Sequence, residues 1–231
     1  MPDAPTPGSA QVKQAIIAAM TREVAPLIKN WRPVRRDFEG RSFEFFEDDA
    51  RVVVCGGIGP EAARRAAVAA ITLYHPQQIT SAGFAGSLDA SLQIGDLFCP
   101  NTVINASDGS RIQSSNGDGV LVSFGSVAGA GQKSQLARSF QAHAVDMEAA
   151  AVGTAAAAAG IAFGAIKAIS DDLEFEMPLM DRFVDASGRF QTAKFVMASS
   201  ARPWLWNRLL RLARNSRIAS RSLCEHLARE G

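Results

Sequence analysis

The sequence has no excess of charge of either sign. Its 24 basic and 23 acidic residues leave a net charge of +1 over 231 residues. This balance provides no long-range attraction for a polyanion, so we expect no nucleic-acid partner. Proline is scarce, with 10 residues, whereas hydrophobic residues make up 47% of the chain. The composition excludes a largely disordered chain and predicts a globular protein with a sizeable core.

Cysteine is equally sparse. Cys55, Cys99 and Cys224 are widely spaced and form no CxxC or His-Cys cluster. This pattern predicts neither a disulfide framework nor a zinc site, and it fits the reducing cytoplasm. The first residues contain no basic stretch followed by an apolar one. We therefore interpret residues 1–14 as a flexible tail rather than a signal peptide.

Common catalytic signatures are missing as well. The sequence contains no GxSxG, P-loop or HExxH pattern, and its three histidines are scattered. Serine hydrolases, P-loop nucleotidases and zinc peptidases therefore lose their main support. Residues 57–62 match the loose GxGxxA dinucleotide pattern, yet no acidic residue occurs between Glu61 and Asp89 to hold a ribose. We predict no metal and no organic cofactor.

A long uncharged run, residues 149–166, tests whether the chain crosses a membrane. Its 18 residues reach the lower limit for a spanning helix, but most of them are alanine and three are glycine. Because alanine gains little from burial in lipid, we predict a buried helix followed by a buried strand.

Short apolar runs alternate with helical patterns along the rest of the chain. This alternation predicts an α/β fold with a mixed, mostly parallel sheet, in a single catalytic domain over residues 15–231. The predicted strands are 15–19, 43–46, 52–55, 78–82, 96–104, 120–124 and 162–169, with an exposed polar loop at 105–119. The predicted helices begin near 21, 60, 132, 146 and 203.

The C-terminal segment, about 203–229, has an amphipathic helical pattern. Its leucines recur at spacings of three and four, with Arg211, Arg214, Arg217 and Arg221 on the opposite face. Seven arginines and two glutamates give residues 201–231 a net charge of +5. Two interpretations stay open: a helix docked on the sheet with a solvated basic face, or a peripheral membrane contact on the inner face of the membrane.

Polar and glycine-rich residues stand at five places in the sequence, four of them shortly after predicted strands. Ligands of open α/β sheets bind at the carboxyl ends of the strands, where these residues would meet. Carboxylates there suit acid–base work and hydroxyl binding, whereas glycine turns allow an anion or a sugar to approach the backbone. A structural role is the alternative for each carboxylate, as a surface residue or a helix cap. The five places are 22–23, 56–59, 83–87, 146–148 and 170–172.

These segments, taken in order, resemble the nucleoside phosphorylase and nucleosidase superfamily, which includes purine nucleoside phosphorylases and methylthioadenosine/S-adenosylhomocysteine nucleosidase. The most specific matches are Asp146-Met147-Glu148 and Ile169-Ser170-Asp171, and the others are residues 18–24, 57–59 and 81–96. The resemblance implies a three-layer α/β/α fold around a twisted sheet and a homo-oligomer. The form of the 146–150 segment and the basic tail are most similar to the hopanoid-associated branch, whose substrate is a lipid-linked adenine nucleoside.

The resemblance also implies roles for individual residues. Asp171 would be the general acid at the purine, and Glu23 would position an attacking water. Glu148 would hold the ribose hydroxyls, with Met147 packed on the sugar. Further substrate contacts are assigned to Asp146, Ser170, Phe84, Ala85, Phe124 and Val127. A phosphate would be bound by Gly57, Gly59, Gly86, Ser87 and Arg22, with Arg64 or Arg65 as other candidate cations.

Phosphorolytic release of adenine, with inorganic phosphate as co-substrate, is the function expected from this resemblance. A hydrolytic nucleosidase and a non-catalytic nucleoside-binding protein are the alternatives. The sequence differs from the nucleosidase pattern at two places that would line the substrate pocket. The nucleosidase Ser-Ala-Gly-Gly is replaced by Phe84-Ala85-Gly86-Ser87, and Val127 stands where nucleosidases place a base-stacking phenylalanine.

Overall fold

The computed structural model describes residues 12–115, 117–175 and 206–230. These residues form a mixed sheet of eleven strands with helices on both faces, which confirms the predicted three-layer α/β/α fold. Residues 1–11 of the predicted tail lie outside the described part of the chain. The first strand begins inside the predicted tail, at Gln14.

The strands are β1 (Gln14–Ala18), β2 (Arg32–Phe38), β3 (Arg41–Glu47), β4 (Arg51–Cys55), β5 (Gln78–Ser87), β6 (Leu97–Phe98), β7 (Thr102–Asn105), β8 (Arg111–Gln113), β9 (Val120–Ser123), β10 (Ala144–Asp146) and β11 (Ala162–Asp171). The helices are α1 (Thr21–Ile28), α2 (Pro60–Tyr74), α3 (Ala130–Phe140), α4 (Ala149–Ala159) and α5 (Trp206–Arg229).

The strand ends that the sequence predicts to form the site lie together at the centre of the sheet. The main strand order is β2-β3-β4-β1-β5-β10-β9-β7-β8, and β11 pairs with β5. β1 runs parallel to β4 and β5, and β11 runs parallel to β5. β10 pairs antiparallel with the end of β5 and parallel with β9. The carboxyl ends of β1, β5 and β11 therefore open at one edge, where β10 also ends close by.

Alanine shapes one helical layer. The buried residues of α2 are all alanine, and those of α4 are alanine, valine and glycine. Small side chains let both helices approach the sheet and each other closely. A Cβ at Gly56, at the end of β4, would lie 2.6 Å from Cβ of Ala66. The uncharged run 149–166 is thus α4 and part of β11, as predicted, and none of the described helices is both long and apolar enough to span a membrane.

The opposite layer consists of α1 and α5. Ala219, Leu223 and Leu227 of α5 are buried against Val24 and Ile28 of α1. The Ser220 hydroxyl donates to the backbone carbonyl of Glu23 at 3.1 Å, and the Cys224 thiol contacts the same oxygen at 3.5 Å. The helix is therefore docked on the domain, and its arginines at 211, 214, 217 and 221 are exposed, as the periodicity predicted.

Several elements differ from the sequence prediction. The predicted strand 96–104 is two short strands, β6 and β7, because the chain turns at 99–101. β8 lies within the predicted polar loop, and the edge strand β2 was not predicted. Most β2 side chains are exposed, so β2 has no apolar alternation to mark it.

Candidate active site

A cavity of about 140 Å³ opens at the carboxyl ends of the central strands. Glu23 comes from the first turn of α1, Glu148 precedes α4, and Asp171 ends β11. All three line the cavity, as do the other predicted residues Arg22, Phe84, Ala85, Gly86, Val127, Asp146, Met147 and Ser170. The structure thus assembles most of the predicted site from five separate segments.

Glu23 is almost fully buried, with 2% exposure. One carboxylate oxygen, Oε2, accepts hydrogen bonds from the backbone N–H groups of Ala19 and Met20 at 3.0 and 3.1 Å. Burial raises the pKa of Glu23, and the two N–H groups together with Lys167 and Arg22 oppose that rise. Glu23 therefore caps its own helix and also presents a carboxyl group with increased basicity to the cavity.

Beneath the cavity, a buried ion pair joins two strands. Lys167 Nζ lies 2.8 Å from Asp146 Oδ2 and donates to the Ser81 hydroxyl at 3.0 Å. Asp146 also accepts hydrogen bonds from Ser123 Oγ at 2.5 Å and the Ala149 N–H at 2.8 Å. Burial disfavours the charged form of Lys167, but Asp146, Glu148 and Glu23 outweigh it and raise its pKa. Asp146 therefore supports the cavity floor and caps α4.

Glu148 is held by the backbone around it. Its Oε1 accepts from the Gly59 N–H at 2.8 Å, and its Oε2 accepts from the Met147 N–H at 3.3 Å. Burial, followed by repulsion from Asp146, raises the pKa of Glu148 to about 8. The contact with Gly59 fixes the side chain against the start of α2. A fixed carboxyl group of this kind can accept hydrogen bonds from sugar hydroxyls.

Asp171 is bound through both carboxylate oxygens. Oδ2 forms an ion pair with Lys133 Nζ, and Oδ1 accepts from the Ser170 hydroxyl at 2.8 Å. Lys133 also donates to the backbone carbonyl of Asp172. A Cβ at Gly86 would lie 2.7 Å from Oδ2 and 3.1 Å from Lys133 Cε, so only glycine leaves room for the pair.

Four predicted residues do not line the cavity. Phe124 packs against the cluster under α3 that contains Leu88, Ile104 and Val122. Ser87 is buried and turns away, donating to the Asp89 carbonyl at 2.6 Å. Gly57 and Gly59 are also outside the lining, and the Gly59 N–H is already used by Glu148.

The other candidate phosphate cations are also engaged elsewhere. Arg64 and Arg65 form surface ion pairs with Glu61, at 2.9 and 2.7 Å, because the three residues share one face of α2. Neither arginine lines the cavity. Arg22 is the predicted phosphate cation that does line it.

Sequence reasoning missed Lys133, Lys167 and Phe175. Phe175 lines the cavity and is covered by Arg211 of α5, whose guanidinium carbon is 5.3 Å from the ring centroid. Lys167 had a signal, since it is the one charge inside an apolar strand. Lys133 had none, because a lysine near the start of a helix is normally a surface residue.

A second, larger space adjoins the cavity. This groove has a volume of about 1080 Å³ and runs between α1 and α5. Arg22, Leu212 and Ser216 line both spaces. Leu27, Trp31 and Leu209 add apolar surface further along the groove. The cavity therefore adjoins a groove that is lined in part by apolar side chains.

Comparison with protein families agrees with this arrangement. The model of the phosphorylase superfamily matches residues 13–130 and 117–196. The chain belongs to the phosphorylase superfamily. The matched region of this superfamily member includes every carboxylate of the cavity. Among curated protein sequences, none matches the chain significantly.

Solved structures share the fold of this superfamily member at low sequence identity. Futalosine hydrolase of Helicobacter pylori strain 26695 is 20% identical, with a TM-score of 0.66, over 92% of this chain and 96% of that one. The 5'-methylthioadenosine/S-adenosylhomocysteine nucleosidase of Neisseria meningitidis, solved with methylthio-immucillin-A, is 18% identical, with a TM-score of 0.71, over 94% and 96%. The corresponding Helicobacter pylori nucleosidase is 19% identical, with a TM-score of 0.68, over 95% of this chain and 99% of that one.

Proposed function

We propose that this protein is an enzyme that cleaves the N-glycosidic bond of a purine nucleoside. The observation that carries the proposal is the placement of Glu23, Glu148 and Asp171 on the wall of one cavity. Cleavage develops positive charge on the ribose and negative charge on the departing base. Carboxylates stabilise the positive charge on the ribose, and a hydrogen-bond donor stabilises the negative charge on the base. The nucleosidase complexes among the structural neighbours support this assignment.

In the proposed reaction, the bond from the ribose carbon to the base nitrogen breaks, and its electron pair leaves with the purine. The Asp171 end of the cavity supplies a proton to the base. Glu148 accepts hydrogen bonds from the ribose hydroxyls, with Met147 beside the sugar. A nucleophile then adds to the ribose carbon, and Glu23 accepts its proton if that nucleophile is water.

The nucleophile is assigned to water on two contacts. The Gly59 N–H, expected to bind phosphate, donates to Glu148, and three carboxyl groups lie around the buried Lys167. The Gly59 N–H is therefore not free to bind a phosphate anion, and the Lys167 ammonium is already paired with Asp146. Arg22 keeps phosphorolysis as the second candidate, because it lines the cavity and can pair with an oxyanion.

The substrate is assigned a long apolar group at its 5′ position, as in the lipid-linked adenine nucleoside of the hopanoid-associated branch. Support comes from the groove between α1 and α5, which shares Arg22, Leu212 and Ser216 with the cavity. An apolar extension leaving the cavity would lie along this groove and bury its surface there.

Peripheral contact with an anionic membrane follows from such a substrate. The outer face of α5 exposes Leu210 and Ile218, at 69% and 39%, beside Arg214 and Arg221. Apolar side chains flanked by arginines are typical of helices that lie in a membrane interface. We place the protein in the cytoplasm, at the inner face of the membrane, as a homo-oligomer.

The proposed function is tested by base release from methylthioadenosine, adenosine and an adenosyl-lipid analogue, each with and without phosphate. Release without phosphate, fastest on the lipid analogue, is the expected result. A strict phosphate requirement would replace hydrolysis with phosphorolysis. Tight nucleoside binding without product would assign the protein to the non-catalytic alternative.

A further inference from the structure

Lys133 is a buried cation that the proposed chemistry does not yet use. It lies in the first turns of α3, and its side chain is 1% exposed. Its ammonium group reaches across the cavity wall to Oδ2 of Asp171 and to the backbone carbonyl of Asp172. Burying a lysine costs free energy unless its charge is paired. Lys133 is buried here because Asp171, at the end of β11, pairs with it.

The pair is built into three elements at once. α3 contributes Lys133, β11 contributes Asp171, and β5 contributes the glycine that makes room for them. At Gly86 a Cβ would lie 2.7 Å from Asp171 Oδ2 and 3.2 Å from Lys133 Nζ. Both Lys133 and Asp171 line the cavity. The ammonium group is therefore adjacent to the place where the departing base would lie.

Asp171 does not stand alone at this end of the cavity. Asp171 accepts hydrogen bonds on both oxygens, from Lys133 and from Ser170. Both carboxylate oxygens therefore already accept a hydrogen bond, and the Lys133 ammonium group, which contacts Oδ2, carries protons that can be passed to Asp171.

We propose that Lys133 is the positioning residue of the leaving-group end, and that it supplies, through Asp171, the proton that the departing base receives. The inference rests on the proposed function. As the glycosidic bond breaks, Lys133 Nζ transfers a proton to Asp171, and Asp171 passes a proton to the base nitrogen, so Asp171 ends the step as it began. Lys133 is left as a neutral amine, which solvent reprotonates after the base departs. The proton lost by the attacking water leaves through Glu23, so protons balance over the cycle.

The test uses two leaving groups of different quality. Departure of adenine needs a proton, whereas 4-nitrophenolate leaves 4-nitrophenyl β-ribofuranoside as an anion without one. Lys133→Met is expected to lower kcat/KM for adenosine by about 100-fold or more, and for the nitrophenyl riboside by less than about 3-fold. Lys133→Arg keeps the charge but holds its proton firmly, so it is expected to remain slow on adenosine. Gln135→Met, on the exposed face of the same helix, is the matched control.

Equal losses on both substrates would make Lys133 structural and overturn the inference, and so would no loss on either. Addition of ethylammonium is expected to restore adenosine cleavage by Lys133→Met, whereas tetramethylammonium, which lacks N–H donors, does not. Adenine binding, measured by calorimetry, separates this inference from the proposed function. A wild-type protein inert on every substrate rejects the proposed function. In that case adenine binding by Lys133→Met decides the inference. Binding as tight as that of wild type rejects it, whereas binding about 10-fold weaker supports a position of Lys133 beside the base.

Discussion

Lys167 Nζ lies 2.8 Å from Asp146 Oδ2, and the two side chains are 2% and 0% exposed. The pair joins β11 to β10 directly beneath the candidate active site. Removing one partner of a buried ion pair leaves the other charge without compensation. We therefore expect Lys167→Met to lower the free energy of unfolding by about 3–5 kcal/mol. Lys167→Arg keeps the charge and is expected to cost less. Denaturant unfolding measures both, and a loss below about 1 kcal/mol for Lys167→Met would contradict the assignment.

Asp171→Asn and Glu148→Gln are expected to reduce base release by about 100- to 10,000-fold each while the protein stays folded. Asp171→Asn removes the proton path to the base, and Glu148→Gln removes a hydrogen-bond acceptor for the ribose. Initial rates with the most active nucleoside measure the effect. The control is Glu44→Gln, an exposed residue of β3, which should keep wild-type rates. Full activity in either site variant would remove that residue from the mechanism.

Gly86→Ala is expected to lower activity by about 10-fold or more, because its Cβ would lie 2.7 Å from Asp171 Oδ2 and displace the Lys133 pair. Gly131→Ala is the matched control, since Gly131 is exposed in α3 and a Cβ there meets nothing within 4 Å. That control should keep full activity and gain about 1 kcal/mol of stability from helix propensity. Equal behaviour of the two variants would show that the space at Gly86 is not critical.

The stability of the protein should depend on the protonation of Glu148. Its pKa is raised from 4.5 to about 8, mainly by burial, so the folded state binds this proton more tightly than the unfolded state. The resulting stability is fully present below about pH 4.5 and is lost as the pH rises towards 8. Unfolding midpoints across this range should fall for wild type and fall less steeply for Glu148→Gln. A slope remains in the variant, because burial also raises the pKa of Glu23. Identical slopes would argue against the Glu148 shift.

Binding to anionic vesicles should depend on the outer face of α5. Arg214→Gln is expected to weaken binding about 5-fold, as one basic residue near such a surface contributes about 1 kcal/mol. Arg64→Gln makes the same change of charge on α2, in the opposite helical layer, and should have no effect. Co-sedimentation with phosphatidylserine vesicles measures both variants. Equal weakening would indicate a general charge effect rather than a membrane-binding face.

The sequence predicts the elements that carry the site because their apolar periodicity is strong. β1, β4, β5 and β11 are runs of buried residues. The site carboxylates stand at or just after the ends of β1, β10 and β11, and Glu148 directly precedes α4. β2 and β8 escaped prediction because most of their side chains are exposed at the margin of the sheet. β10 escaped because it has only three residues.

Within the site, the sequence motifs located the carboxylates but not their cations. Lys133 and Lys167 reach their partners over 38 and 21 positions of the chain, through contacts set by packing rather than by local pattern. For the same reason, the motif glycines 57 and 59 looked like phosphate ligands, although the Gly59 N–H is committed to Glu148.

The hydrogen bond from Ser220 to the backbone of Glu23 spans 197 positions of the chain. A ribosome adding about 10 residues per second needs about 20 seconds to travel that distance. Throughout that interval the apolar face of α1 has no cover, and the nascent chain exposes the surface that α5 later buries. Helix α5 thus completes the segment that carries Glu23. Catalytic competence is therefore acquired only after α5 has been synthesised and has docked on α1.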